Sequence, residues 1–244
     1  MNNKIISSGA FLVITDFNFL PDDLNKSWVY EYTDNYLIYD RAHRFKENER
    51  IKHQVNVGAN IYDIFDFIAT NYENLPDVTI FCKGNVIPRH CGYEKFKKII
   101  NNTEFTPIEN YIREYGKYYP GSYSFVDEND GYYENPIEVD NTVRSIHLSK
   151  YIFNYRELLD SIYEDAVFPD YTRFAPGANY IIPKKDILRY NRYFYETMRH
   201  YVSWDVKPGE AYLLERAIFT LYSNNFTIKE KYNNISYDNN KSNR

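Results

Sequence analysis

Lys83, Gly84 and Asn85 follow the apolar run DVTIFC, so a strand arrives at its carboxyl end carrying a cation and two small turn-forming residues. In an open α/β sheet, ligands bind beyond the carboxyl ends of the strands, where loops converge. The same form recurs upstream: Ala10 to Ile14 runs into TDFNFLPDD, which holds Asp16 and Asn18, and NYLIYD ends in Asp40 and Arg41. Each end taken singly is ordinary turn chemistry, whereas their recurrence could bring all of them to one crevice. Arg89 and His90 lie a few residues beyond the third end. Gly58, between Asn56 and Asn60, could let the backbone approach a ribose or phosphate at a helix start, although a plain helix-start glycine is the commoner explanation. The 5 histidines are scattered, without His-Glu-x-x-His or the spacing of a facial metal triad. Neither a Gly-x-Ser-x-Gly elbow nor a Walker lysine loop is present, so hydrolase and P-loop chemistry lack their parts.

A sheet must carry those ends. Asn60 to Tyr72 sets Ile61, Ile64, Phe65, Ile68 and Ala69 at helical spacing, with Asn60 as the expected cap and Asp63 as the acidic half of a capping box. The resulting strand, strand, helix, strand opening predicts an α/β fold, a mostly parallel sheet flanked by helices. RAHRFKENERIKH reads as a solvated connection and GYEKFKKIIN as helical. YYPGSYSFVDENDGYY reads as a loop or irregular hairpin and is a candidate substrate-facing segment, with Tyr123, Tyr132 and Tyr133 as its candidate stacking residues. RELLDSIYEDA predicts a short helix. PGANYIIPKKDI predicts a turn, a strand and the start of a helix running through LRYNRYFYETMRHYV; Pro208 and Gly209 then open GEAYLLERAIFTLY. Residues 1–222 are expected to form a single domain and residues 223–244 a polar, mobile tail.

Composition narrows the function. The 244 residues carry a net charge of −5, which argues against a general nucleic-acid or anionic-membrane binder. The 2 cysteines, Cys82 and Cys91, are too few for a disulfide framework and lack zinc spacing. With no run near the roughly 20 apolar residues of a membrane span and no signal-peptide pattern at the start, the expectation is a cytoplasmic protein, with peripheral membrane association left open. The aromatic share of 18% is spread along the chain and marks no site by itself.

NVGANIYDIFDFIATNYENLPDVTIFCKGN resembles an uncharacterised family whose members carry an N-x-G element, an aromatic-rich helix, then LPDVT-F and a glycine-containing turn; NYLIYDRA looks like the strand that precedes it there. GANYIIPKKDILRYNRYFYETM and GEAYLLERAIFTLY are similar both to that family and to bacterial capsule and lipopolysaccharide glycosyltransferases of GT-A-type (Rossmann-like) fold. The likeness covers both halves of the chain and thins between about residues 100 and 170.

The resemblance implies a glycosyltransferase acting on a nucleotide-sugar donor and a glycan acceptor in surface polysaccharide synthesis. In such enzymes the first strand and its loop hold the base, and a later strand ends in Asp-x-Asp, whose carboxylates bind a divalent metal on the diphosphate. This chain contains no Asp-x-Asp, and the corresponding strand delivers Lys83-Gly84-Asn85. Lys83 is expected to supply positive charge, Gly84 close backbone approach and Asn85 a hydrogen bond, with no cofactor required. Arg89 and His90 would assist, and Gly177 and Asn179 of APGAN would line the acceptor side. Were Mn²⁺ or Mg²⁺ used, Glu138-Val139-Asp140 and Asp127 to Asp130 are alternative ligand sources. Glu210, at a helix start, and Glu215 are the candidate general bases, each with paired or helix-terminal charge as the rival explanation. A catalytically silent GT-A-like carbohydrate- or protein-binding module is the alternative from another class, and a phospho-transferring enzyme on the same sheet a more distant one.

Overall fold

The computed structural model describes residues 4–109, 124–127 and 131–235. Its strands are β1 (Ala10–Asp16), β2 (Tyr36–Asp40), β3 (Ile51–His53), β4 (Val78–Lys83), β5 (Thr106–Pro107), β6 (Ser124–Asp127), β7 (Gly131–Glu134), β8 (Thr172–Phe174) and β9 (Tyr180–Pro183). The helices are α1 (Trp28–Tyr32), α2 (Ala59–Asn71), α3 (Val86–Arg89), α4 (Tyr93–Ile99), α5 (Pro136–Ile146), α6 (Tyr155–Ile162), α7 (Lys184–Ile187), α8 (Arg192–Tyr201) and α9 (Gly209–Ser223). A 6-stranded sheet has the order β3-β2-β1-β4-β9-β5, and a 3-stranded sheet the order β6-β7-β8. β1 to β4 run parallel, β9 is antiparallel to β4, and β5 is antiparallel to β9.

The parallel strands are apolar on both faces because helices cover both. Alternation sorts their side chains. Leu12, Ile14, Ile38, Ile80 and Cys82 pack with Val29 and Tyr32 of α1 and Phe96 of α4. Val13, Leu37, Tyr39 and Phe81 face the other way, onto α2, α8 and α9. The β1 to β2 crossover therefore carries α1 on one face, and the β3 to β4 crossover carries α2 on the other. The strand order reverses between β1 and β4, which opens a crevice at their carboxyl ends.

Several local expectations yield to tertiary demands. The apolar stripe of α2 is buried as its spacing requires, but Gly58, at φ 62°, occupies the cap position. Asn60 instead donates from Nδ2 to the Gly177 carbonyl, and Asp63 turns to Arg41, so the capping box does not form. The solvated connection after Asp40 contains a buried Arg41 and the short β3. α7 and α8 are separate helices, because Asn191 caps α8 by accepting from Phe194 N at 3.0 Å. Past α9 the chain remains bound: Lys229 N donates to Ile162 O at 2.9 Å, and Tyr232 is buried. Residues 236–244 of the expected tail, and residues 118–123 and 128–130 of the expected loop or hairpin, lie outside the described residues. Among the described residues no helix is long and apolar enough to cross a membrane.

Candidate functional site

The carboxyl ends of β1 and β2 hold their own loops. Asp16, fully buried, accepts from Phe19 N and Leu20 N on Oδ1, each at 3.0 Å, and from Arg44 Nη2 on Oδ2 at 2.8 Å. Those bonds set the turn at whose tip the exposed Asn18 takes φ 68°. Asp40 accepts from Ala42 N at 3.2 Å and Phe45 N at 2.7 Å. Both carboxylates are therefore engaged by their own turns.

Arg41 reaches across to α2. Its Nε and Nη2 meet Asp63 Oδ2 and Oδ1 at 3.0 and 2.8 Å, with both side chains buried. Nη1 donates to the Val57 carbonyl at 2.9 Å, and the Thr15 hydroxyl donates to Asp63 Oδ2 at 2.7 Å. This bidentate pair ties the ends of β1 and β2 to the first turn of α2.

At the end of β4, Gly84 N donates to Thr15 O at 2.9 Å and Trp28 Nε1 donates to Gly84 O at 2.9 Å. A Cβ on Gly84 would lie 2.3 Å from Asp16 Oδ1, so this glycine is required by the β1 turn. Asn85 precedes α3 with its Oδ1 buried, and Arg89 at the far end of α3 is exposed.

Lys83 differs from all of these. Its backbone N–H donates to Asn179 Oδ1 at 2.8 Å, which ties the strand end to the 175–179 turn. Among the described residues its ammonium has no hydrogen bond and no ion pair. Burial pushes it below the ordinary lysine value; the charge of Glu215 pulls it back up, and Arg89, Arg41 and Lys207 push it further down. It opens onto a cavity of about 310 Å³ shared with Thr15, Phe17, Phe19, Asn60 and Lys207. Among the described residues no acidic side chain lines that cavity. Ala59 and Asn60 bring the N-terminus of α2 to it, where the helix dipole favours an anion.

A smaller cavity of about 130 Å³ adjoins it, with Ala59, Asn60 and Lys207 lining both. Its own walls include His147, Tyr212 and Glu215. Glu215 Oε1 accepts from Gly177 N at 2.6 Å, and Oε2 pairs with Arg216. Gly177, at φ 81°, and Asn179 build the turn between Lys83 and Glu215; Asn179 Nδ2 donates to Pro176 O at 3.0 Å. His90 abuts Gly177 and is pushed down to about 4, first by burial and then by Lys83 and Arg89, so its imidazole is neutral at pH 7.

Glu210 lies elsewhere. Its buried Oε1 accepts from the backbone N–H groups of Lys150, Tyr151 and Ile152 at 2.6, 2.6 and 3.3 Å, and Oε2 from Trp204 Nε1 at 3.3 Å. That carboxylate anchors the 150–152 segment to the start of α9. Of the alternative metal ligands, Asp140 Oδ1 accepts from Tyr155 N at 2.6 Å and Glu138 Oε1 from Asn141 at 3.3 Å. Among the described residues no group of three or more His, Cys, Asp or Glu could hold a metal ion. Protein-family models, curated proteins and solved structures give no match to this chain.

The crevice thus gathers Lys83, Arg41, Gly177, Asn179, His90 and Glu215, and leaves Asp16, Asp40 and Glu210 in structural hydrogen bonds. Sequence reasoning missed Lys207, Phe17, Phe19, His147 and Tyr212. The aromatic pair flanking Asn18 and the lysine before Pro208 carried a faint signal, but only the fold brings them to one cavity.

Proposed function

We propose that the chain transfers a sugar from a nucleotide-diphosphate donor to a glycan acceptor, with the diphosphate held by Lys83. The observation that carries this reading is the ammonium at the end of β4, without a hydrogen bond or ion pair among the described residues and open to a cavity at the switch point of the sheet. Lys207 and the N-terminus of α2 share that cavity, so a polyanion meets two cations and a favourable dipole there. Phe17 and Phe19, both about half exposed at its mouth, suit the base that the resemblance assigns to the first loop. A GT-A-like fold is the finer form of the reading, with β4 carrying the position where such enzymes have Asp-x-Asp.

The chemistry follows from the adjoining cavity. The acceptor hydroxyl oxygen attacks the anomeric carbon, the bond from that carbon to the phosphate oxygen breaks, and the electron pair leaves with the nucleoside diphosphate. The hydroxyl proton passes to Glu215, the carboxylate that lines the second cavity. Lys83 and Lys207 stabilise the charge that grows on the departing phosphate.

Thermal shifts and donor hydrolysis with UDP-, GDP- and CMP-sugars, in EDTA and with Mn²⁺ or Mg²⁺, test the reading. Stabilisation by a nucleoside diphosphate in EDTA is expected. No stabilisation by any nucleotide rejects it in favour of a silent carbohydrate- or protein-binding module. Metal-dependent turnover that survives Lys83→Ala removes Lys83 from the diphosphate.

A further inference from the structure

α9 is buried along most of its length, yet one stripe stays open. Tyr212, Glu215, Phe219 and Ser223 follow the i, i+3, i+7, i+11 spacing of a single helical face, and Thr220 beside them is also partly exposed. The stripe begins at the cavity that holds Tyr212 and Glu215 and ends at a larger groove of about 410 Å³, lined by Phe219, Thr220 and Ser223. At a rise of about 1.5 Å per residue, Phe219 lies about 6 Å and Ser223 about 12 Å along the helix from Glu215.

The groove has the composition of a sugar site. Tyr133, Tyr171, Phe219 and Phe226 supply aromatic surface from β7, from the segment leading into β8, from α9 and from the segment after it. Ser223 and Asn224 add hydroxyl and amide groups at its rim. Aromatic faces suit the C–H side of a pyranose, and short polar side chains suit its hydroxyls. Among the described residues Arg173 is the one charged residue lining the groove, and it pairs with Glu109 at 3.3 Å. The lining is thus close to neutral, unlike the lysine-bearing donor cavity.

We infer that this groove along the C-terminal half of α9 holds the distal residues of a neutral oligosaccharide acceptor whose reacting hydroxyl sits at Glu215. The inference rests on the transferase reading for the reacting end and adds the class of acceptor: a neutral glycan of several sugar units.

The test uses the full chain and a ladder of neutral gluco-, galacto- and N-acetylglucosamine oligosaccharides of one to six units. Transfer kinetics should show kcat/KM rising with acceptor length. Phe219→Ala and Ser223→Trp should lower kcat/KM for the longest acceptor about tenfold, through KM. Ser223 is exposed, so its substitution tests the groove even if Phe219→Ala fails to fold. Phe153→Ala, at an exposed aromatic outside the groove, should leave the length dependence intact. Length-independent kcat/KM, or a length dependence that survives Ser223→Trp, overturns the inference. Saturation-transfer NMR with the same ladder and no nucleotide separates the two readings. If no donor turns over, the transferase reading fails, while oligosaccharide signals abolished by Ser223→Trp still support the groove. Absence of such signals together with binding of a proline-rich or aromatic peptide overturns it.

Discussion

Replacing Lys83 by Met should strengthen the apo protein and weaken its ligand. The side chains are similar in length, so packing is largely kept while the buried charge is removed. In the unfolded chain the lysine titrates at its ordinary 10.5, and in the folded protein burial lowers that value. Between the folded value and 10.5 the unfolded state binds the extra proton, so stability rises with pH across that window. Below the folded value the lysine is charged in both states and the whole penalty is present. A stabilising substitution commonly adds about 0.5–2 kcal/mol, the range expected for removing this buried charge. At about 2–4 °C per kcal/mol for a chain of this size, the apo Tm should rise by about 1–8 °C. Binding moves the other way. A charged hydrogen bond contributes about 1.5–3 kcal/mol, so Kd for the nucleoside diphosphate should rise about 10- to 150-fold. Differential scanning fluorimetry from pH 7 to 10.5 and isothermal titration calorimetry read the two effects. A variant with lower Tm and unchanged Kd would refute the reasoning, because Lys83 would then be a structural cation.

The two glutamates of α9 should separate cleanly. Glu210→Gln weakens a carboxylate bound by three backbone N–H groups and should cost about 1.5–3 kcal/mol in denaturant unfolding with kcat largely kept, whereas Glu215→Gln, which gives up the charge paired with Arg216, should lose about 10²- to 10⁴-fold in kcat beyond any loss of Tm. The opposite pattern would exchange their roles. Gly84→Ala should destabilise by about 1–3 kcal/mol, since its Cβ would meet Asp16 Oδ1 at 2.3 Å and that carboxylate is held by two backbone N–H groups and Arg44; chemical denaturation measures it, and wild-type stability would contradict the contact. His90, lowered to about 4, favours folding above its unfolded value near 6.5, and that stability is lost as pH falls from 6.5 to 4. His90→Gln should therefore flatten the plot of Tm against pH in that window, and an unchanged slope would assign the acid sensitivity elsewhere.

How far this protein was legible depended on how local the relevant physics was. Periodicity is local, so the strands around Val13, Ile38 and Ile80 and the buried stripe of α2 followed from the sequence, as did a mostly parallel sheet. Caps and loops were less legible, because each residue there has several possible partners. Asn60 and Asp63 have the types of a capping box, but Gly177 and Arg41, distant in sequence, claimed them. β3, at one edge of the sheet, and the antiparallel placement of β9 were also missed, since strands this short carry little pattern of their own.

The sequence by itself determined that a lysine ends an apolar strand, and that two candidate glutamates lie on a late helix. Only the tertiary structure decided which charges are engaged. Asp16, Asp40 and Glu210 have backbone donors within reach and are held by them, whereas the Lys83 ammonium finds no partner among the described residues and faces a cavity. Residue type states that a group can bond; the positions of distant chain segments determine whether a protein partner occupies it or leaves it to a ligand.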